Sequence, residues 1–391
     1  MIKALVNHEM YQRQLKLIEK KPYRPENLTL IFSGGGTGGH IYPAIAVADR
    51  IKELVPDVKV LFVGARGKME MTMVPQHGYE IIGLWISGLQ RKLTLSNLLF
   101  PFKVIHSYLK SKAILRKNKP DVVTGFGGYA SSPIMLAATR NGIKTVVQEQ
   151  NSYAGIANKA VAGKADRFCV AYENMDRFFP TSKISLTGNP VRSDIANLGT
   201  DKTESLKHFG LDPSMEVILV IGGSLGARTI NESLIQNIQF WGDSGKQVLW
   251  QTGKLYNKEM MERLPKDILN IHLFEFIEQM DLAYIAADIV ISRAGALSIS
   301  ELCLVKKPVI FVPSPNVAED HQTKNAMALV EKNAAIIVED RFAIKELAST
   351  ALKLLADNDK MVQLSANITR LGKPNATDEI ANQILELARK I

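Results

Sequence analysis

Residues 28–54 read LTLIFSGGGTGGHIYPAIAVADRIKEL, and their pattern decides the fold. Leu28 to Phe32 form an apolar, β-leaning run with the length of a buried strand. Gly34, Gly35, Gly36, Gly38 and Gly39 follow, broken only by Thr37, and let another molecule approach the main chain closely. A helix is predicted next. Pro43 suits its first turn, where no amide hydrogen bond is lost. Ala44, Val47, Ala48, Ile51 and Leu54 recur at helical spacing, while Asp49, Arg50, Lys52 and Glu53 face water. Pro56 is placed to stop it. Strand, glycine loop and helix start together make a site for a phosphate or a sugar diphosphate, because free amides and the helix dipole favour anions. His40 stands at the loop–helix junction. It either satisfies local backbone groups or serves as a general base near neutral pH. The loop is neither a Walker A sequence nor a clean dinucleotide fingerprint.

Outward from this unit, short apolar runs keep alternating with helical patterns, which argues a parallel α/β architecture. Candidate strands are 58–63, 79–84, 121–124, 144–148 and 167–170 in the first half. In the second half they are 216–221, 247–251, 271–274, 288–292, 308–312 and 335–338. The opening pattern returns as an apolar run at 217–221, the glycine loop 222–227 (GGSLGA) and a helix with Ile230, Leu234 and Ile238 at helical spacing. Two doubly wound, Rossmann-like domains facing each other across a cleft account for this repeat. Gly188-Asn189-Pro190 and the polar, helix-poor stretch 193–203 mark the linker. The domains are therefore set at 28–190 and 191–376, after an extension at 1–27 and before a C-terminal helix at 377–391. That helix can pack on either domain.

The bulk numbers agree with two soluble domains: 391 residues, 46% hydrophobic and 22% charged. A net charge of +9 suits anionic partners, and without an RNA-binding aromatic signature or zinc spacing it favours lipid or a phosphorylated substrate over nucleic acid. Cys169 and Cys303 are isolated, as in a reducing cytoplasm, and offer no metal motif. The first 27 residues carry no secretory signal and nothing downstream reaches transmembrane length, so any membrane contact is expected to be peripheral.

Polar residues cluster where the predicted strands end. Gly125-Phe126-Gly127-Gly128-Tyr129 and Gln148-Glu149-Gln150-Asn151 do so in the first half. Ser292-Arg293-Ala294-Gly295-Ala296 does so in the second, leading into a helix with Glu301. Arg293 can pair with phosphate and Glu301 can accept from ribose hydroxyls, although an exposed helix position explains Glu301 as well. Glu319-Asp320-His321-Gln322 suits sugar hydroxyls. No Asp-x-Asp pair follows an apolar strand, so the sequence requires no divalent ion on a diphosphate; the second glycine loop with Arg192 and Arg293 can neutralise it.

Residues 85–119 are of another kind. Leu93, Leu95, Leu98, Leu99, Phe100 and Phe102 interleave with Arg91, Lys92, Lys103, Lys110, Lys112, Arg116, Lys117 and Lys119. Two readings stand: a core helix with a solvated basic face, or a surface for an anionic membrane.

The blocks GGGTGGHIYPAIAVA, GFGGYASSP, EQNSYAGIANK, GNPVR, GGSLGARTIN, SRAGALSISE and DHQTKNA occur in this order. Together they resemble the MurG family of bacterial glycosyltransferases, from residue 28 to the C-terminus. The resemblance implies a GT-B fold and an inverting transfer of N-acetylglucosamine from UDP-GlcNAc to the muramyl 4-hydroxyl of lipid I, giving lipid II for peptidoglycan. It implies that Thr37, His40, Tyr129, Asn151 and Asn158 line the acceptor and reaction side, with His40 the catalytic residue. For the donor it implies Ser224 and Arg192 at the diphosphate, the Ile277 backbone at uracil, Glu301 at ribose and Gln322 at the sugar. Thr37, Gly38, Gly39, Asn151 and Arg293 complete the expected donor contacts. It also raises the membrane reading of 85–119, and places the enzyme peripherally on the cytoplasmic face of the inner membrane with other cell-wall synthesis proteins as partners. Leu225 and His321 stand where many or some members carry glutamine. Two rivals remain: another GT-B enzyme, such as a UDP-sugar epimerase or a diacylglycerol glycosyltransferase, and a membrane-surface module that binds UDP-sugar without turnover.

Overall fold

The computed structural model describes residues 28–88, 99–196 and 198–389. The extension at 1–27, and Arg91, Lys92, Leu93, Leu95 and Leu98 of the basic–apolar segment, lie outside the described residues.

The first domain is a parallel sheet of β1 (Thr29–Ser33), β2 (Lys59–Ala65), β3 (Glu80–Leu84), β4 (Val122–Gly125), β5 (Lys144–Glu149), β6 (Arg167–Val170) and β7 (Ile184–Leu186). Its order is β3-β2-β1-β4-β5-β6-β7. Helices cover both faces, so the central strands bury neighbouring side chains to opposite sides: Ile31 packs into one core and Phe32 into the other. β7 escaped the sequence reading because its three residues sit half-buried at the sheet edge and form no continuous apolar run.

The second domain repeats the plan with β8 (Val217–Ile221), β9 (Gln247–Gln251), β10 (Ile271–Phe274), β11 (Ile289–Ser292), β12 (Val309–Phe311) and β13 (Ile336–Ile337), ordered β10-β9-β8-β11-β12-β13. In both sheets the order reverses beside the first strand, between β1 and β4 and between β8 and β11. Crevices at the carboxyl ends of such strands are where open α/β sheets take ligands. Both glycine loops stand there.

Two local expectations change, and one choice left open by the sequence is made. The first helix spans Gly38–Leu54, so Gly38 and Gly39 are already helical and Pro43 lies inside the helix rather than in its first turn. The linker is not helix-poor: Ser193–Ala196 and Lys202–Phe209 are both helical, the latter capped by Asp201, whose side chain accepts from Glu204 N at 3.1 Å. The last helix, Ala376–Ala388, packs on the first domain. Ile380, Ala381 and Ile384 are fully buried in its core, each isoleucine contributing about 1.5–3 kcal/mol by burial. Asp378 pairs with Arg50, and Glu386 pairs with Arg167 at 3.0 Å, which fixes the choice of domain.

Candidate active site

The loop after β1 turns at Gly34–Gly36 and delivers His40 on the first turn of its helix. The imidazole lies against the second glycine turn of this domain. A Cβ on Gly127 would stand 2.9 Å from His40 Cδ2, and one on Gly128 would stand 2.2 Å from Gly35 O. Both residues have positive φ, +89° and +75°, so glycine is required there twice over. Thr37 Oγ1 and His40 Nδ1 are 3.0 Å apart. Burial pushes the imidazole down to about 4; a hydrogen bond from the ring to Gly35 opposes this, and His321 across the cleft adds to it. Desolvation is thus the largest cause that keeps His40 neutral. Tyr129 is half-buried and stacks over the backbone of Gly36 and Gly88.

Glu149, at the end of β5, organises the next stretch. One carboxylate oxygen accepts from Asn151 N at 3.0 Å and Asn151 Nδ2 at 3.2 Å; the other accepts from Gly155 N at 2.9 Å and Asn158 Nδ2 at 2.8 Å. Burial nevertheless holds its carboxyl above the usual range. With both oxygens occupied, Glu149 shapes the loop and is poorly placed as a base. Asn158 is thereby held beside Gly127, on the same side as His40.

The second domain meets this loop directly. Asn325 Oδ1 accepts from Ser152 N at 2.9 Å and Ser152 Oγ at 3.0 Å, and Asn189 Nδ2 donates to Ser300 Oγ at 3.0 Å. Lys324 Nζ stands 3.8 Å from the centroid of Tyr153. His321 starts the helix His321–Val330 after Glu319 and Asp320, both at φ +53°, a strained entry for non-glycine residues. Its Nδ1 is buried and has no hydrogen-bond partner among the described residues.

On the donor side, Ser224 is exposed at the tip of the second glycine loop. This loop lies flat on the neighbouring turn: a Cβ on Gly226 would stand 2.1 Å from Thr252 O. Arg192 is exposed within the inter-domain linker. Glu301 is half-buried, with Tyr284 Oη donating to its Oε2 at 3.4 Å. Two expected donor contacts are partly engaged already. Ile277 N donates to Gln251 Oε1 at 2.9 Å, so recognition of a base by that backbone rests on its carbonyl. Gln322 Oε1 accepts from Ser314 N at 2.9 Å, which leaves its NH2 group for a sugar.

Arg293 has a different task from the one expected. Its guanidinium pairs with Asp340, which also accepts from Thr229 Oγ1 at 2.9 Å, and donates to Val312 O at 2.8 Å. These contacts tie three elements together beneath the site and engage the guanidinium within the protein.

Among the described residues no group of His, Cys, Asp or Glu could hold a metal ion. A cavity of about 530 Å³ between the domains is bounded by Tyr172, Gly188, Ser300, Cys303 and Lys373. His40, Ser224 and Glu301 are not among the residues that line it. Sequence reasoning missed Gln251, Asn325 and Glu70, which lies under the first glycine loop. Asn325 falls within the quoted block DHQTKNA, but one asparagine in a helix carries no signal of a partner in the other domain.

The model for the glycosyltransferase family 28 N-terminal domain matches residues 30–170, and that for the family 28 C-terminal domain matches residues 217–383. A UDP-N-acetylglucosamine–N-acetylmuramyl-(pentapeptide) pyrophosphoryl-undecaprenol N-acetylglucosamine transferase of Cytophaga hutchinsonii is 54% identical over 369 residues, spanning 94% of this chain and 98% of that protein. The protein of the same name from Flavobacterium psychrophilum is 51% identical over 93% of this chain and 98% of its own length. The crystal structure of Acinetobacter baumannii MurG superposes with a TM-score of 0.76 at 27% identity, covering 92% of this chain and 99% of that one. A UDP-GlcNAc 2-epimerase from Neisseria meningitidis bound to UDP-GlcNAc also superposes, with a TM-score of 0.62 at 16% identity over 92% and 100% of the two chains, a likeness of fold alone.

Proposed function

The chain belongs to glycosyltransferase family 28, and from that premise we propose that it transfers N-acetylglucosamine from UDP-GlcNAc to lipid I, giving lipid II. The observation that carries this reading is the meeting of two strand-order reversals across one cleft. The first presents a neutral, half-buried His40; the second presents an open glycine loop and Glu301. Thr37 Oγ1 engages His40 Nδ1, so Nε2 is assigned to the acceptor proton. The muramyl 4-oxygen attacks the anomeric carbon from the face opposite UDP while His40 takes its proton. The bond to the diphosphate breaks with its electron pair, UDP leaves and the configuration inverts. Amides of the second glycine loop, with Arg192, meet the developing charge. The scheme needs no divalent ion, and turnover in excess chelator tests that point.

Among the described residues no helix is long and apolar enough to cross a membrane. The helix Phe100–Asn118 buries Ser107, Ser111, Ile114 and Leu115, and turns Phe102, Ile105 and Leu109 outward at 65%, 60% and 59% exposure. Lys112 and Arg116 continue the same stripe. This surface supports peripheral docking on anionic lipid at the cytoplasmic face, where lipid I would be reached. Other cell-wall synthesis proteins are further partners in this reading. Radiolabel transfer from UDP-GlcNAc to a lipid I analogue tests the function; turnover with a diacylglycerol acceptor, or 2-epimerisation of the donor alone, would overturn it.

A further inference from the structure

Glu70 opens the short helix Glu70–Gln76 and is fully buried. One carboxylate oxygen accepts from Ala65 N, at the end of β2, at 2.9 Å; the other accepts from Gly36 N, in the first glycine loop, at 3.2 Å. The side chain presses directly under that loop. A Cβ on Gly35 would lie 2.2 Å from its Oε1, and one on Gly64 would lie 2.6 Å from its Cγ. Packing alone does not explain an acid here, because burying a carboxyl is unfavourable unless both oxygens are bonded. Two separate N–H donors call for two acceptor oxygens. A carboxamide offers one, and would turn its NH2 group against the second donor.

The loop held by Glu70 is the one that holds His40. Gly36 N is fixed by the carboxylate, and Gly35 O and His40 Nδ1 press on the same Gly128 turn, 2.2 Å and 3.3 Å from where a Cβ would stand there. We propose that Glu70 is a positioning residue of the glycosyl transfer, fixing the orientation of His40 through Gly36 and Gly35. The proposal rests on the reading of His40 as the base. It also separates the two glycine loops by chemistry. The first has an amide consumed by a carboxylate and is built to aim a side chain; the second is the one suited to the diphosphate.

A double-variant cycle on the full chain tests it, comparing wild type, E70Q, H40A and the pair. E70Q should lower kcat on the order of tenfold to a hundredfold, as displacement of a reacting group does, with KM for UDP-GlcNAc within about twofold. The double variant should be no slower than H40A, because Glu70 acts only through His40. Thermal stabilisation by UDP reports that the donor domain remains folded. An E70Q enzyme as fast as wild type, or losses that multiply in the pair, would overturn the positioning role while leaving His40 as base. Full turnover by H40A would overturn the reading of His40 and this inference with it. If E70Q does not accumulate as folded protein, E70D enters the same cycle. It keeps the charge but is too short to reach both amides.

Discussion

Asn325 Nδ2 donates to Asn151 Oδ1 at 3.1 Å, joining the helix that starts at His321 to the loop that follows β5. The same carboxamide accepts both polar hydrogens of Ser152, so one buried side chain carries three bonds across the cleft. Asn325→Ala should cost about 1–3 kcal/mol in unfolding free energy, since it leaves buried donors unpaired. It should also slow turnover, because Asn151 loses a partner that places it on the reaction side. Unchanged melting and unchanged kcat would show that the domains are held elsewhere.

Glu301 provides the donor test. Glu301→Ala should weaken UDP binding by about 2–3 kcal/mol if the carboxylate takes both ribose hydroxyls. Affinity for a soluble acceptor analogue should stay nearly constant. Because Tyr284 Oη also donates to Glu301, Tyr284→Phe is the control for loss of support alone, and should cost less. An unchanged UDP dissociation constant by calorimetry would remove Glu301 from the nucleoside site.

Arg293 should behave in the opposite manner. Arg293→Met leaves Asp340 without its cation in a largely buried setting, which costs about 3–5 kcal/mol when such pairs are broken. UDP affinity of the folded fraction should change little. A large loss of UDP affinity with normal stability would restore the phosphate role.

The membrane face is read with vesicles. Replacing Phe102, Ile105 and Leu109 together by Asp should release the protein from anionic vesicles. Activity on a short-chain, water-soluble lipid I analogue should persist. Equal loss on both acceptors would make this helix part of the catalytic cleft instead.

The strand–loop–helix units were legible because their signals are local. Ile31 and Phe32 declare a buried strand by themselves, and the glycines after them declare a turn. Ends of elements were less so: nothing in the sequence says that Gly38 and Gly39 are helical, since their neighbours supply the stabilisation. Site residues divide by the same logic. His40 and Glu301 carry chemistry that stands out in a motif, whereas Glu70, Gln251 and Asn325 matter through partners far away in sequence. Arg293 shows the converse. Its position after a strand invites a phosphate role, and only the fold brings Asp340 alongside to absorb the charge.

The last prediction concerns His40 and pH. The imidazole is pushed down to about 4, so at about pH 5.5 more than roughly nine-tenths of it is neutral and able to take a proton. With an ordinary histidine as base, kcat/KM would fall about tenfold between pH 7.5 and 5.5; here it should stay nearly flat, with the acid limb only near 4. The same depression bears on stability. Between 6.5 and about 4 the unfolded chain binds the proton more readily, so stability is present above this window and is lost as pH falls through it. His40→Gln should remove that part of the acid sensitivity. At neutral pH it should lower kcat by about 10²–10⁴-fold, since a carboxamide keeps a hydrogen bond but accepts no proton. UDP affinity should hold, because the donor contacts lie mainly on the other domain. An acid limb near 6.5 in wild type would make some other group the titrating base. A His40→Gln enzyme with most of its activity would reduce His40 to a residue that shapes the loop or orients the acceptor.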